Sequence, residues 1–301
     1  MIKKLIIFMS LSMLVACNGK QKTTPDKDAT DNPPPLDPVS DSSGDYSRLL
    51  VQGKFKEIID KTQKELGTSK DPAKLHYYAG FAWFRLKDNQ KARDSFEKAL
   101  AAGGNFADLY VNYSEVLFYL KDYAKAKEII TKAMGLFPKE PGLWYNMGGI
   151  LFEENNPEEA IKYYNEALLR KDSYVPALIS LGGYWLKKDP SKALPYFEKL
   201  QTIKGFEFEA LMRSAFIHFK LRNWDKALDA VTKAEKINNT DTRIAKFRKN
   251  IEIFKKSEQI MTLAKQKKCP AAKTELKTLK EKYPDFTSLK SVESFTKRFC
   301  P

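Results

Sequence analysis

The chain has 301 residues, 43% hydrophobic and 30% charged, the composition of a globular protein with chain enough for about two domains. Three cysteines and two histidines exclude a disulfide-built scaffold and leave little material for imidazole catalysis or a histidine-rich metal site. The 52 Lys and Arg against 38 Asp and Glu give a formal charge of +14, so an anionic partner has to be weighed.

Residues 1–16 read as a secretory signal peptide. Lys3 and Lys4 precede an apolar run over residues 5–15, which at about 11 residues is too short to cross a bilayer core. It ends in Leu14-Val15-Ala16-Cys17, which resembles the bacterial lipobox. The resemblance implies loss of residues 1–16 and a lipidated N-terminal Cys17, held in the membrane by acyl chains worth ~0.8 kcal/mol per buried CH₂. With Asn18 rather than Asp after that cysteine, it further implies the outer membrane, facing the periplasm, of a bacterial envelope. Residues 17–45, rich in Lys, Asp, Ser and Thr around Pro33-Pro34-Pro35, hold too few apolar side chains to offset their ordering entropy. They are expected to form a disordered tether with a reach of roughly 30 Å.

From residue 46 the pattern becomes helical. Leu49, Leu50, Phe55, Ile58, Ile59 and Leu66 predict a partial first hairpin. Beyond it the chain repeats itself: Ala92, Ala126 and Ala160 stand 34 residues apart, as do Ala99, Ala133 and Ala167, and also Phe96, Ile130 and Tyr164. Ala193 comes one residue early and Ala227 restores the interval, giving five windows that start at 73, 107, 141, 175 and 208 and end at 241. Each window holds two helical stretches parted by a polar turn. In the third, Trp144, Met147, Gly148 and Leu151 precede Glu154-Asn155-Asn156-Pro157, and Ala160, Tyr164 and Ala167 follow. Pro157 fits the first turn of the second helix, where a missing N–H costs little.

This order resembles the tetratricopeptide (TPR) consensus. The second window carries it through Tyr110, Tyr113, Ser114, Leu117, Ala126, Ile130, Ala133 and Pro138, the first through Ala79, Gly80, Trp83, Ala92, Phe96 and Ala99. Ser214 and Ala215 depart from the usual Leu and Gly. The resemblance implies an all-α helix-turn-helix solenoid winding as a right-handed superhelix. Gly80, Gly148 and Gly182, with the repeated alanines opposite, would let paired helices approach closely. After residue 241, Ile244, Phe247, Ile251 and Phe254 predict a long amphipathic helix, broken at Cys269-Pro270 and followed by helices over 271–282 and 286–298. Residues 242–301 thus form a C-terminal helical cap, basic through 16 Lys and Arg against 6 Asp and Glu. Outside the cytoplasm the remaining pair, Cys269 and Cys300, is expected to form a disulfide.

No HExxH, GxSxG or Walker loop is present, and His76 and His218 fall on inward-facing repeat positions. The expectation is a non-enzyme with no cofactor and no metal. In TPR proteins the first helix of each hairpin lines a concave groove. The resemblance places there Tyr77, Phe81, Phe84 and Arg85, then Val111, Glu115, Phe118 and Tyr119, then Tyr145, Phe152 and Glu153. Further along come Ile179, Leu186 and Lys187, then Met212, Phe216, Phe219 and Lys220. Phe84, Phe118, Tyr119 and Phe152 would form the centre, with Trp144 a core residue behind them. Asn112 and Asn146 suit a carboxylate clamp, but Tyr77 and Phe81 stand where its leading Lys and Asn belong, so a mainly apolar protein or peptide ligand is expected. The reading is a lipid-anchored envelope scaffold for pilus, outer-membrane or murein machinery, touching the membrane through its anchor. The alternative is a glycan- or peptidoglycan-binding module whose basic tail, including Lys265, Lys267, Lys268, Lys273, Lys277, Lys280 and Lys282, meets anionic lipid or glycan. Nucleic acid is not an expected partner.

Overall fold

The computed structural model describes residues 45–301; the signal 1–16, Cys17 and most of the tether lie outside the described residues. Among the described residues there are fifteen helices and no strand. They are α1 (Asp45–Val51), α2 (Phe55–Glu65), α3 (Pro72–Arg85), α4 (Asn89–Ala101), α5 (Ala107–Tyr119), α6 (Tyr123–Leu136), α7 (Pro141–Glu153) and α8 (Pro157–Arg170). Then follow α9 (Val175–Lys188), α10 (Pro190–Leu200), α11 (Glu207–Lys220), α12 (Trp224–Ile237), α13 (Thr242–Lys265), α14 (Cys269–Lys282) and α15 (Leu289–Phe299). The all-α repeat architecture is as the sequence predicts. The chain divides into two compact units, residues 45–181 and 182–301, with the boundary inside α9.

In residues 45–181 each hairpin turns by the same device. Lys87, Lys121 and Asn155 close the first helix with φ of 65°, 62° and 61°, in the left-handed region. In the first two of these turns the next residue caps both ways: Asp88 N–H donates back to Trp83 O at 3.0 Å, while its carboxylate accepts from Lys91 N–H at 3.1 Å. Asp122 does the same with Leu117 O at 2.9 Å and Lys125 N–H at 3.2 Å. The polar turn is legible in the sequence, but its backbone strain is not, because lysine is no marker of positive φ.

Between these turns the helices pair closely. Ala92, Ala99, Ala126, Ala133, Ala160 and Ala167 are all fully buried. A Cβ placed on Gly80 would lie 2.8 Å from the Phe96 ring, and one on Gly148 would lie 2.8 Å from Tyr164. The second hairpin has Ser114 at the glycine position and Ile130 at the ring position, both buried. A larger residue on one helix is met by a smaller one on the other. At the N-terminal end, α1 lays Tyr46 flat on Tyr78, ring centroids 4.6 Å apart at 4°, and Tyr46 Oη donates to Glu65 Oε2 at 2.7 Å.

The same exchange recurs in residues 182–301. A Cβ on Gly182 would lie 2.9 Å from Phe197, whereas Ala215 pairs in register with Val231, both fully buried in one cluster. The departure at Ala215 is thereby explained: without a ring opposite, a methyl fits. The helix α13 runs 24 residues, and Glu258 on it accepts from Arg222 Nη1 at 2.7 Å and from Trp224 Nε1 at 2.6 Å. Pro270 stands in the first turn of α14, just after the break that ends α13 at Lys265. Ile253, Ile260, Leu276, Leu279, Leu289 and Val292 bind α13, α14 and α15 together. A disulfide joins Cys269 to Cys300, with Cα atoms 5.3 Å apart.

Candidate peptide-binding surface

The first helices α3, α5 and α7 pack side by side in residues 45–181. Of the groove residues expected on α3, Tyr77 and Phe81 are instead buried, 1% and 5% exposed. Tyr77 packs edge-on against Phe106 at 5.1 Å, and its hydroxyl accepts from Asn112 Nδ2 at 3.1 Å. Phe81 lies beneath Arg85, whose guanidinium stands 6.0 Å from its ring and 5.4 Å from that of Phe55. Neighbouring helices cover these positions, which a one-dimensional repeat register does not reveal.

The next turn of α3 is different. Phe84 is half-buried and 5.6 Å from Tyr119, which is 44% exposed. Tyr119 meets Phe118 perpendicularly at 5.7 Å, and Phe118 meets Tyr123, also at 5.7 Å. Four rings from α3, α5 and α6 thus form one continuous surface patch. Phe152 is half-buried and outside this chain of rings. Val111 is half-buried, its methyls closing on Gly142 at the start of α7. Glu153 is exposed.

Beside the patch sits Glu115, half-buried on α5. Burial pushes its carboxyl up to about 7, against an opposing pull from Arg85. Tyr145 of α7 meets Tyr164 at 5.4 Å and Tyr174 edge-on at 5.8 Å, and its hydroxyl accepts from Ser180 Oγ at 3.5 Å. Burial holds the Tyr145 and Tyr174 hydroxyls above the usual phenol range, and the Glu115 charge adds to this in both. Sequence reasoning missed Tyr174. It lies in the connection just before α9, outside the first-helix register, and the periodic pattern carries no signal for it.

Asn112 and Asn146 do not face a ligand. Asn112 Nδ2 also donates to Asp108 O at 2.9 Å, and Asn146 Nδ2 donates to Val111 O and Ser114 Oγ, both at 2.9 Å. Trp144, expected in the core, is only half-buried: its Nε1 donates to Pro138 O at 3.3 Å and the Arg170 guanidinium lies 3.5 Å over its ring. His76 and His218 are also half-buried, and desolvation lowers both below the usual imidazole value.

In residues 182–301 the expected groove residues are less available. Leu186 is buried, while Lys187 and Lys220 are exposed, Lys220 standing 5.3 Å from the Phe216 ring. Met212 and Phe219 pack against the local core, and Phe219 is enclosed by Trp224, Phe247 and Phe254 at 5.4, 5.6 and 5.2 Å. Among the described residues no group of three His, Cys, Asp or Glu side chains could hold a metal ion, and no helix is long and apolar enough to cross a membrane.

A family model described as Tetratricopeptide repeat matches residues 117–181, which span the end of α5 to the middle of α9. Residues 117–181 carry tetratricopeptide repeats. Solved TPR structures share the fold. PilW, titled a widely conserved type IV pilus biogenesis factor, aligns with a TM-score of 0.56 at 18% identity, over 69% of this chain and 99% of its own. Pseudomonas aeruginosa pilF aligns with a TM-score of 0.54 at 17% identity, over 67% of this chain and 93% of its own. The APC/C hetero-tetramer Cut9–Hcn1 aligns at 0.52 and 16% identity over 85% of this chain, which spans only 48% of that one. At these identities the likeness is one of fold. No curated protein matches the TPR sequence.

Proposed function

We propose that this TPR chain is a scaffold of the bacterial envelope, anchored through an acylated Cys17, which binds a protein or peptide partner on the first-helix surface of residues 45–181. The observation that carries the binding reading is the ring patch of Phe84, Tyr119, Phe118 and Tyr123, in which the large apolar side chain of Tyr119 is 44% exposed. Clustered aromatics at a surface are the usual anchors of an interface. The lipobox-like Leu14–Cys17 quartet supports the anchor, and the fold shared with a type IV pilus biogenesis factor supports an assembly role.

Partner capture from crosslinked envelopes tests the binding. Tyr119→Ala should melt within about 1 kcal/mol of wild type, since it removes an exposed ring, yet lose the captured protein. A variant that retains the partner unchanged removes the patch from the site. Labelling with radioactive palmitate tests the anchor: wild type should be marked and Cys17→Ala should not.

The second reading, a glycan- or peptidoglycan-binding module, rests on a cleft of about 490 Å³ between α14 and α15. Lys273, Lys277, Lys280 and Lys297 line it, with Glu281 and Glu293 among them. Retention of the protein on purified murein, lost on combined Lys→Ala substitution of these four, would favour it over a protein ligand.

A further inference from the structure

Resting on the groove reading above, we propose that the partner places a lysine or arginine side chain over Glu115, beside the contacting rings of Tyr145 and Tyr174. Glu115 has neither a hydrogen bond nor an ion pair within the described residues. The cation whose charge reaches it, Arg85, is directed over Phe55 and Phe81 instead. A half-buried carboxylate left in this way has lost solvation without a compensating partner. Covering it with an apolar side chain would deepen that loss, and an acidic ligand would be repelled. A cationic side chain recovers it through a charge-assisted hydrogen bond. The neighbourhood suits the same guest: the bond from Asn146 to Ser114 sets Tyr145 against the Glu115 turn of α5, Tyr174 meets Tyr145 edge-on at 5.8 Å, and the negative face of an aromatic ring attracts an ammonium or guanidinium. The exposed patch through Tyr119 then takes the apolar residues flanking that cation. This is opposite in sign to a carboxylate clamp, and it fits the two asparagines already spent in bonds between hairpins.

Fluorescein-labelled octapeptide pools test this on the purified full chain. Their flanks are drawn from uncharged residues, and the central position is fixed as Lys, Arg, norleucine or Glu. Lys- and Arg-centred pools should bind on the order of tenfold tighter than the norleucine pool, with the Glu pool weakest. Glu115→Gln should bring the basic pools down to the norleucine level without weakening the latter, whereas Tyr119→Ala should weaken every pool. Between pH 8 and about pH 6 the basic preference should shrink as Glu115 protonates, because burial holds the neighbouring Tyr145 and Tyr174 hydroxyls above the usual phenol range. Equal binding of Lys and norleucine pools, or a basic preference that survives Glu115→Gln, overturns the cation site while leaving the groove intact. Binding of no pool to the folded chain overturns both.

Discussion

Asn112 reaches back 35 positions to donate a hydrogen bond to the buried Tyr77 hydroxyl at 3.1 Å. The same step of 35 joins Asn146 to Val111 O and Ser180 to Tyr145 Oη. One polar side chain in the first half of α5, α7 and α9 is thus bonded to the first helix before it. Asn112→Ala would leave Tyr77 Oη buried without this donor, which should cost about 1–3 kcal/mol. Chemical denaturation of the variant checks this. A loss below a few tenths of a kcal/mol would mean that water replaces the amide.

Gly80→Ala should destabilise by about 1–3 kcal/mol, because the new methyl meets the Phe96 ring at 2.8 Å. In a Phe96→Ile background the same change should be neutral or favourable, reproducing the Ser114–Ile130 arrangement of the next hairpin. Gly183→Ala, one residue beyond Gly182 with open space around it, should gain about 0.5–1 kcal/mol from helix propensity alone. A double-mutant cycle by thermal melting reads all of these, and a Gly80→Ala penalty independent of residue 96 would contradict the pairing.

Lys121→Gly should raise stability by about 0.5–1 kcal/mol. The left-handed conformation costs a side-chain-bearing residue roughly 1–2 kcal/mol, and the flexibility of glycine in the unfolded chain takes back part of the gain. Lys87→Gly should behave alike. Asn155→Gly should gain less, since asparagine tolerates φ near 61°. Arg222, at φ 59°, should not follow the rule, because its guanidinium is bonded to Glu258.

Glu115 predicts an inverted pH response for a carboxylate. Its folded-state value is raised to about 7 from an ordinary 4.5, so the folded chain holds the proton more tightly than the unfolded chain does. Its contribution is therefore most favourable below about pH 4.5 and is lost as pH rises towards 7. Glu115→Gln should melt above wild type at pH 8, with the gap closing towards pH 4. A gap that is the same at both ends would show that ionisation is not its origin.

Reducing the Cys269–Cys300 bond, which closes a loop of 31 residues in sequence, should cost about 3–4 kcal/mol in the chain-entropy account. Amide exchange in α14 and α15 should accelerate on reduction, while exchange in α3 to α6 stays unchanged. Uniform acceleration would refute this local role.

The fold was legible because close packing writes itself into sequence at fixed intervals: a buried glycine has no ready substitute where an added Cβ would meet a ring at under 3 Å, as at Gly80, Gly148 and Gly182. The candidate binding surface was legible only in part. Phe84, Phe118 and Tyr119 are found by register, but Tyr77, Phe81 and Leu186 share that register and are covered. Whether a position is covered depends on the neighbouring helix, not on the residue's own place in the repeat. Trp144 shows the converse, a consensus core position whose indole is half-buried under Arg170. Tyr174 lies in a connection, where no period operates.

The two ends of the described chain are fastened by different physics. At the C-terminal end the backbone is closed by a covalent bond to Cys269, so the last helix cannot peel away without chemistry. At the N-terminal end α1 is seven residues long and held by non-covalent contacts, among them the Tyr46–Tyr78 stack, the bond from Tyr46 to Glu65, the Asp45–Lys61 ion pair and the buried Leu49. A pull applied through residue 45 would load these contacts first. They would act as a mechanical fuse, letting α1 yield before the repeats behind it are strained.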